Sequence, residues 1–232
     1  MGEMIDFAAN GHQAQGYLAV PASGNGPGVM VVQEWWGLAP QIKRTCDQLA
    51  DDGFVALAPD LYHGELAEHH EMDKAGELMN KLVGEMDKAA TDMSGAITAL
   101  LEHDAVTSSS VGVVGYCMGG MLTLVIAAKE SDRVGAAAPF YGAPLGDGGP
   151  DFSNLTAKVV GHFAETDDFF PPEAVKAMET DLIAAGKDVS FTVYPGSGHA
   201  FTNEDDPLGT YDADLDASTW AITVELFNAE LS

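Results

Sequence analysis

The stretch V-G-V-V-G-Y-C-M-G-G, Val111 to Gly120, decides how the rest of this 232-residue chain is read. Val111, Val113 and Val114 form a β-branched run of the kind that fills a buried strand, and the run ends in a glycine-flanked turn with one cysteine at its tip. The pattern G-x-C-x-G over Gly115 to Gly119 is that of a strand-turn-helix nucleophile elbow with cysteine in the serine place. Such a turn strains its tip residue and brings the strand and helix backbones together, which leaves no room for a neighbouring Cβ. Gly115 and Gly119 are therefore expected to be crowded, and Gly120 to lead into a helix from Met121 to Ala128.

Strands and helices alternate on both sides of this turn. Gln13 to Val20 alternates and stops at Pro21, as an edge strand does, and Ala22 to Pro27 is a turn. Gly28 to Gln33 is a continuous apolar run that delivers Glu34, Trp35, Trp36 and Gly37 to its C-terminal end. Helical spacing from Leu38 to Asp51 ends at Gly53, and Phe54 to Ala58 is the next strand. Met72 to Leu82 and Met86 to Leu101 read as helices, and Asp104 to Ser110 as a turn into the elbow. Beyond it come strands at Val134 to Tyr141, Ala157 to Phe163 and Val189 to Tyr194, with a glycine- and acid-rich loop over Gly146 to Asn154. Pro171 and Pro172 open a helix reaching Ala185, and Ala217 to Leu231 is the last helix. This succession predicts an α/β fold with a mostly parallel central sheet and helices on both faces. Without a linker or a repeat, residues 1–232 read as a single domain.

Charge excludes whole classes of partner. There are 36 acidic residues against 10 basic ones, a formal net of −26, which repels nucleic acid and anionic membrane surfaces. Molar salt shortens the screening length to about 3 Å, so an owner with a salty cytoplasm, a halophilic setting, is expected. No apolar run reaches membrane-spanning length, and M-G-E-M-I-D-F at the start lacks a secretory pattern, so a cytoplasmic location is expected. Cys46 lies on the apolar face of a helix as a small core residue, with no disulfide spacing to Cys117. His63, His69 and His70 with Glu65, Glu68 and Glu71 show no established ligand spacing, so no metal is expected there. The quaternary expectation is a monomer or a small homo-oligomer.

In open parallel sheets, ligands bind beyond the carboxyl ends of the strands. Glu34, Cys117, Asp167 and His199 all fall at such ends. A cysteine nucleophile needs a base, a group that orients the base, and donors for the oxyanion. His199 between Gly198 and Ala200 can be the base, and Asp167 can orient it, with Asp168 as the rival while Asp167 caps the following helix. Met118 N–H at the helix start and Trp35 N–H after the Gly28 strand are the candidate oxyanion donors. Glu34, after a buried strand and before two tryptophans, is expected to be enclosed. Trp36, Tyr62, Tyr141 and Phe201 are candidate walls of a substrate pocket, although Trp35 and Trp36 suit packing as well. His162 reads as a satisfied core histidine.

With these residues placed, the chain resembles the dienelactone hydrolase family, carboxymethylenebutenolidase-like enzymes of the α/β-hydrolase fold. The resemblance runs over nearly the whole length. It is carried by Q-E-W-W-G at 33 to 37, A-P-D-L-Y at 58 to 62, G-Y-C-M-G-G at 115 to 120, F-Y-G at 140 to 142, A-E-T-D around Asp167 and Y-P-G-S-G-H-A-F at 194 to 201. The resemblance implies Cys117 as nucleophile, Asp167 as acid, His199 as base, and Glu34 as the glutamate that helps activate the cysteine when substrate binds. It implies no cofactor, and opening of a small lactone or an activated enol or aryl ester through an acyl-cysteine. It further implies two arginines that hold a substrate carboxylate, but the only arginines are Arg44 and Arg133, at neither place. Asn203 stands where the second is expected and joins the substrate-binding candidates; Lys74 or Lys81 could replace the first only as a point charge. A broad carboxylesterase or thioesterase-like hydrolase, and a catalytically silent scaffold used for binding, are the alternatives.

Overall fold

A computed structural model describes residues 1–9, 11–146 and 149–231. Packing contacts group them into two compact units, Met1–Val111 with Leu231, and Gly112–Glu230. The division falls inside the strand that leads to Cys117.

The first unit opens with a hairpin, β1 (Glu3–Ala9) and β2 (His12–Ala19), antiparallel with Ala9 opposite His12. The strand expected from Gln13 is β2, but β1 is an addition to the sequence reading. Its signal is present: Asn10-Gly11 separates two segments by two residues, and Gly11 has φ +105°, which suits glycine. Asn10 lies outside the described residues. Along β1 only Phe7 and Ala9 are buried, an alternation too brief to stand out beside Glu3 and Asp6. β3 (Gly26–Val32) is the buried strand expected, with Val29 to Val32 wholly inaccessible. Helix α1 (Pro40–Asp51) begins with proline in its first turn and buries Ile42, Cys46 and Leu49. Gly53, at φ +96°, turns the chain into β4 (Val55–Pro59). Helices α2 (Met72–Gly84) and α3 (Met86–Glu102) follow.

The next strand, β5 (Val106–Tyr116), begins well before the elbow, so the turn expected over Asp104 to Ser110 is mostly strand. The serines explain the difference. Ser108 is buried because its hydroxyl accepts the Gly28 N–H at 3.1 Å, which satisfies a polar group that the apolar pattern alone would leave outside.

In the second unit, β5 leads through the elbow into α4 (Met118–Lys129), β6 (Val134–Phe140), β7 (Lys158–Thr166), α5 (Pro172–Ala184), β8 (Val189–Gly198) and α6 (Ala213–Glu230). β8 runs past Tyr194 through Pro195 to Gly198, with Gly198 opposite Thr166. A proline is tolerated there because β8 is an edge strand. α6 starts four residues earlier than Ala217, since Asp212 Oδ1 accepts the N–H groups of Asp214 and Leu215. Within the glycine- and acid-rich loop, Asp147 and Gly148 lie outside the described residues.

The strand order is β1-β2-β4-β3-β5-β6-β7-β8. The β1/β2 and β2/β4 pairs are antiparallel, while β3/β4, β6/β7 and β7/β8 are parallel. The fold is thus α/β, a mixed and mostly parallel sheet flanked by helices on both faces, the architecture of an α/β-hydrolase. Among the described residues, no helix is long and apolar enough to cross a membrane.

Candidate active site

Cys117 sits between β5 and α4 with φ 55° and ψ −119°, a conformation that L-residues rarely adopt. Glycines make it possible. A Cβ on Gly115 would lie 2.2 Å from the Gly119 carbonyl oxygen, and one on Gly142 would lie 1.9 Å from that of Cys117. The turn is pinned by Cys117 N–H donating to the Phe140 carbonyl at 3.0 Å, while Gly120 and Met121 donate to the Cys117 carbonyl. Met118 is the first residue of α4, where N–H groups lack acceptors within the helix. Both cysteines are reduced. Cys46 is wholly buried, and burial pushes its thiol far above the ordinary value, whereas Cys117 is partly exposed.

Asp167 and His199 meet in the same unit. Asp167 Oδ2 lies 2.8 Å from His199 Nδ1, and both side chains are buried. Asp167 Oδ1 accepts the N–H groups of Phe169 at 2.9 Å and Phe170 at 3.0 Å. Asp167 thus faces the imidazole, the Phe169 and Phe170 N–H groups it accepts lie ahead of α5, whose N-cap is Pro171, and Asp168 is exposed. The rings of Tyr141 (5.1 Å), Phe169 (4.9 Å) and Phe170 (5.9 Å) surround the imidazole. Burial alone would push the His199 pKa down. Hydrogen bonds with Asp167 and Cys117, and the negative charge each can carry, outweigh it and hold the pKa at about 10.

The remaining sequence candidates divide by exposure. In the first unit Glu34 is enclosed, at 2 % exposure. Trp35 is half-buried, and its carbonyl accepts the Tyr62 hydroxyl at 3.1 Å. Trp36 is buried against Trp35 and the edge of His69, and Tyr62 is buried too. In the second unit Tyr141 and Phe201 have no exposed surface. Tyr141, at φ 34°, shares a hydrogen bond with the Thr202 hydroxyl, and Phe201 packs between Tyr141 and Tyr194. Asn203 is buried, its Oδ1 accepting the Asp205 N–H. Tyr141 and Phe201 therefore brace the imidazole and its loop, and present no surface to a ligand.

Two residues near His199 escape the sequence reading. Phe169 is 59 % exposed although its ring touches the imidazole; an aromatic pair two residues after Asp167 is the signal for it. Thr210 donates from its hydroxyl to the His199 carbonyl, a contact eleven residues away with no pattern to announce it.

The histidine-rich segment is engaged in other ways. His63 and His12 flank the buried Asp92 at 3.2 and 2.6 Å, Glu65 pairs with Lys81, and Glu71 with Lys74. Among the described residues, no group of three or more such side chains could hold a metal ion.

The profile of the Dienelactone hydrolase family matches residues 14–231. Protein usf of Aquifex pyrophilus is 37 % identical over 241 residues, covering 100 % of each chain. Among solved structures, the one named m3DLH is 25 % identical with a TM-score of 0.88, covering 100 % of this chain and 99 % of that one. A dienelactone hydrolase from Anabaena variabilis ATCC 29413, at 19 % identity, shares the fold with a TM-score of 0.71, covering 100 % of this chain and 99 % of its own. A family match over nearly the whole length, together with a full-length relative, establishes that this chain belongs to the dienelactone hydrolase family and is a hydrolase of lactone- or ester-like substrates.

Proposed function

We propose that the protein opens small lactones or activated esters through an acyl-cysteine on Cys117, with His199 and Asp167 as its partners. The observation that carries this reading is the buried 2.8 Å contact between Asp167 and His199, in the same unit as a cysteine on a strained elbow. An imidazole with a pKa near 10 can hold the proton that the attacking sulfur gives up. The thiolate attacks the carbonyl carbon, a C–S bond forms, and the negative charge moves to the carbonyl oxygen. Backbone N–H groups receive that charge, Met118 by its place at the start of α4 in the unit that carries Cys117. On collapse the C–O bond breaks, and the His199 proton passes to the leaving oxygen. Neutral His199 then takes a proton from water, which attacks the thioester, releases the acid and returns the thiolate.

The substrate is an uncharged ester, free of a carboxylate. Of the two arginines, Arg133 is engaged by Glu130 in the second unit, and the net charge of −26 opposes the approach of an anion. A panel of lactones and aryl esters, matched with and without a carboxylate and run in high salt, tests this. Preference for the carboxylate-bearing members would reject it, and indifference to ring closure would favour the broad carboxylesterase alternative.

Cys117→Ala tests the nucleophile, with turnover expected to fall by about 10³-fold or more. Turnover retained by that variant would exclude Cys117.

A further inference from the structure

We infer that Thr210 is a positioning residue for His199, fixing the main chain of the base while Asp167 fixes its ring. This rests on the reading of His199 as the base. The Thr210 hydroxyl donates to the His199 carbonyl at 2.5 Å. Its methyl group, Cγ2, lies 2.5 Å from the place a Cβ on Gly198 would occupy, so the glycine before the histidine is the imprint of Thr210. The turn at this point needs holding, because Ala200 sits at φ +65°, where a side chain is disfavoured.

A second group of contacts aims Thr210. Asp206 Oδ1 accepts the N–H groups of Thr210 at 2.7 Å and Tyr211 at 2.9 Å. Asp206 and Gly209 both take positive φ, and the Gly209 N–H donates to the Asp206 carbonyl. On either side the segment is tied back to the histidine loop. The Asn203 N–H donates to the Ala200 carbonyl and the Asp212 N–H to the Phe201 carbonyl, both at 2.9 Å, and Asp212 then caps α6. The strap 203–212 therefore crosses from the loop to the helix and grips the carbonyl of the base on the way.

The consequence is geometric. Asp167 sets the tilt of the imidazole about its Nδ1 contact, but where Nε2 points depends on the backbone that carries the ring. Nε2 must reach first the thiol and then the leaving oxygen, and a misplacement of about 1 Å in such a group costs on the order of 10²-fold in rate. Loss of one of two restraints is expected to cost less, about tenfold.

Three variants separate this role from packing. Thr210→Val keeps the shape and loses the hydroxyl, Thr210→Ser keeps the hydroxyl and loses the methyl, and His199→Asn removes the base. Two readouts are taken on each folded protein: kcat and KM on a neutral aryl ester, and the pH dependence of Cys117 alkylation by iodoacetamide. Thr210→Val is expected to lower kcat about tenfold with KM within about twofold, and to move the alkylation midpoint to higher pH. Thr210→Ser is expected to follow wild type in both. A Thr210→Val enzyme indistinguishable from wild type, or a Thr210→Ser enzyme as impaired as Thr210→Val, overturns the proposal. Should Thr210→Val not fold, Thr210→Ala takes its place, and equality of Ala and Ser overturns it. If His199→Asn alkylates with the wild-type profile, the base itself is wrong and this inference falls with it. A shifted His199→Asn beside an unshifted Thr210→Val rejects the strap alone.

Discussion

His162 and His199 lie in the same unit, are nearly enclosed at 1 % and 7 % exposure, and are driven in opposite directions. Burial holds the His162 pKa down at about 3, while His199 stands at about 10. The partners account for the contrast. Among the described residues, His162 meets the hydroxyls of Tyr194 at 2.8 Å and Thr223 at 3.5 Å, with Phe140 and Tyr194 packed about its ring. His199 meets a carboxylate and a thiol. Burial lowers the pKa of both, and only a neighbour able to carry negative charge reverses it. Enclosure by itself therefore marks a structural histidine, and enclosure with a charged partner marks a chemical one.

Asp167→Asn removes that reversal and has the largest effect expected on this contrast. Asparagine retains the size and an acceptor for the Phe169 and Phe170 N–H groups, but it carries no charge to favour the imidazolium. Turnover is expected to fall on the order of 10³-fold, by analogy with loss of the acid in other triads. The His199 titration, followed by proton NMR of its ring, is expected to move down from about 10 towards the ordinary value. An unmoved titration would show that the thiol alone sustains the cation, and the comparison would then rest on Cys117.

The sequence made one side of this contrast far more legible than the other. The elbow is readable because steric crowding writes itself as glycine: Gly115 and Gly142 stand where backbone atoms leave no space. Asp167, His199 and Cys117 each follow the end of a strand, so topology announces them together. The residue pattern points to Asp167 but leaves Asp168 as a rival, because the choice depends on which carboxylate turns inward. Strand β1 was hidden by its exposed face, and the start of β5 by Ser108, whose burial depends on a partner eighty residues away. Tyr141 and Phe201 have the right residue type and position for a pocket wall, yet rotamer and packing bury them completely. Thr210 had no local signal at all.

The second prediction uses stability instead of rate. The folded pKa of His162 lies below the unfolded value of about 6.5, so the unfolded chain binds the extra proton. Its contribution to stability is complete above about pH 6.5 and is lost as pH falls towards about 3. For His199 the sign reverses. Its contribution is complete below about pH 6.5 and is lost as pH rises towards about 10. Urea unfolding across this range, compared between wild type and His162→Phe, isolates the acid limb from the many carboxylates common to both. Wild type is expected to lose a few kcal/mol more than the variant on acidification. Parallel curves would show that His162 does not titrate in this window and would remove one half of the contrast.

The smallest effect asks how His162 is kept neutral. The Thr223 hydroxyl donates to the Thr219 carbonyl at 2.9 Å, so its oxygen is left to accept, and the proton of a neutral His162 belongs on Nε2. Nδ1 is then an acceptor, and the Tyr194 hydroxyl is its donor. Tyr194→Phe leaves that nitrogen buried without the donor, which should cost about 1 kcal/mol at neutral pH. The hydroxyl also supports the neutral form specifically, so its loss should raise the His162 pKa and bring the two histidines slightly closer. Unfolding free energy and the His162 ring titration measure both effects on one sample. A loss of stability with no change in titration would mean that Tyr194 only packs, and that burial alone keeps His162 neutral.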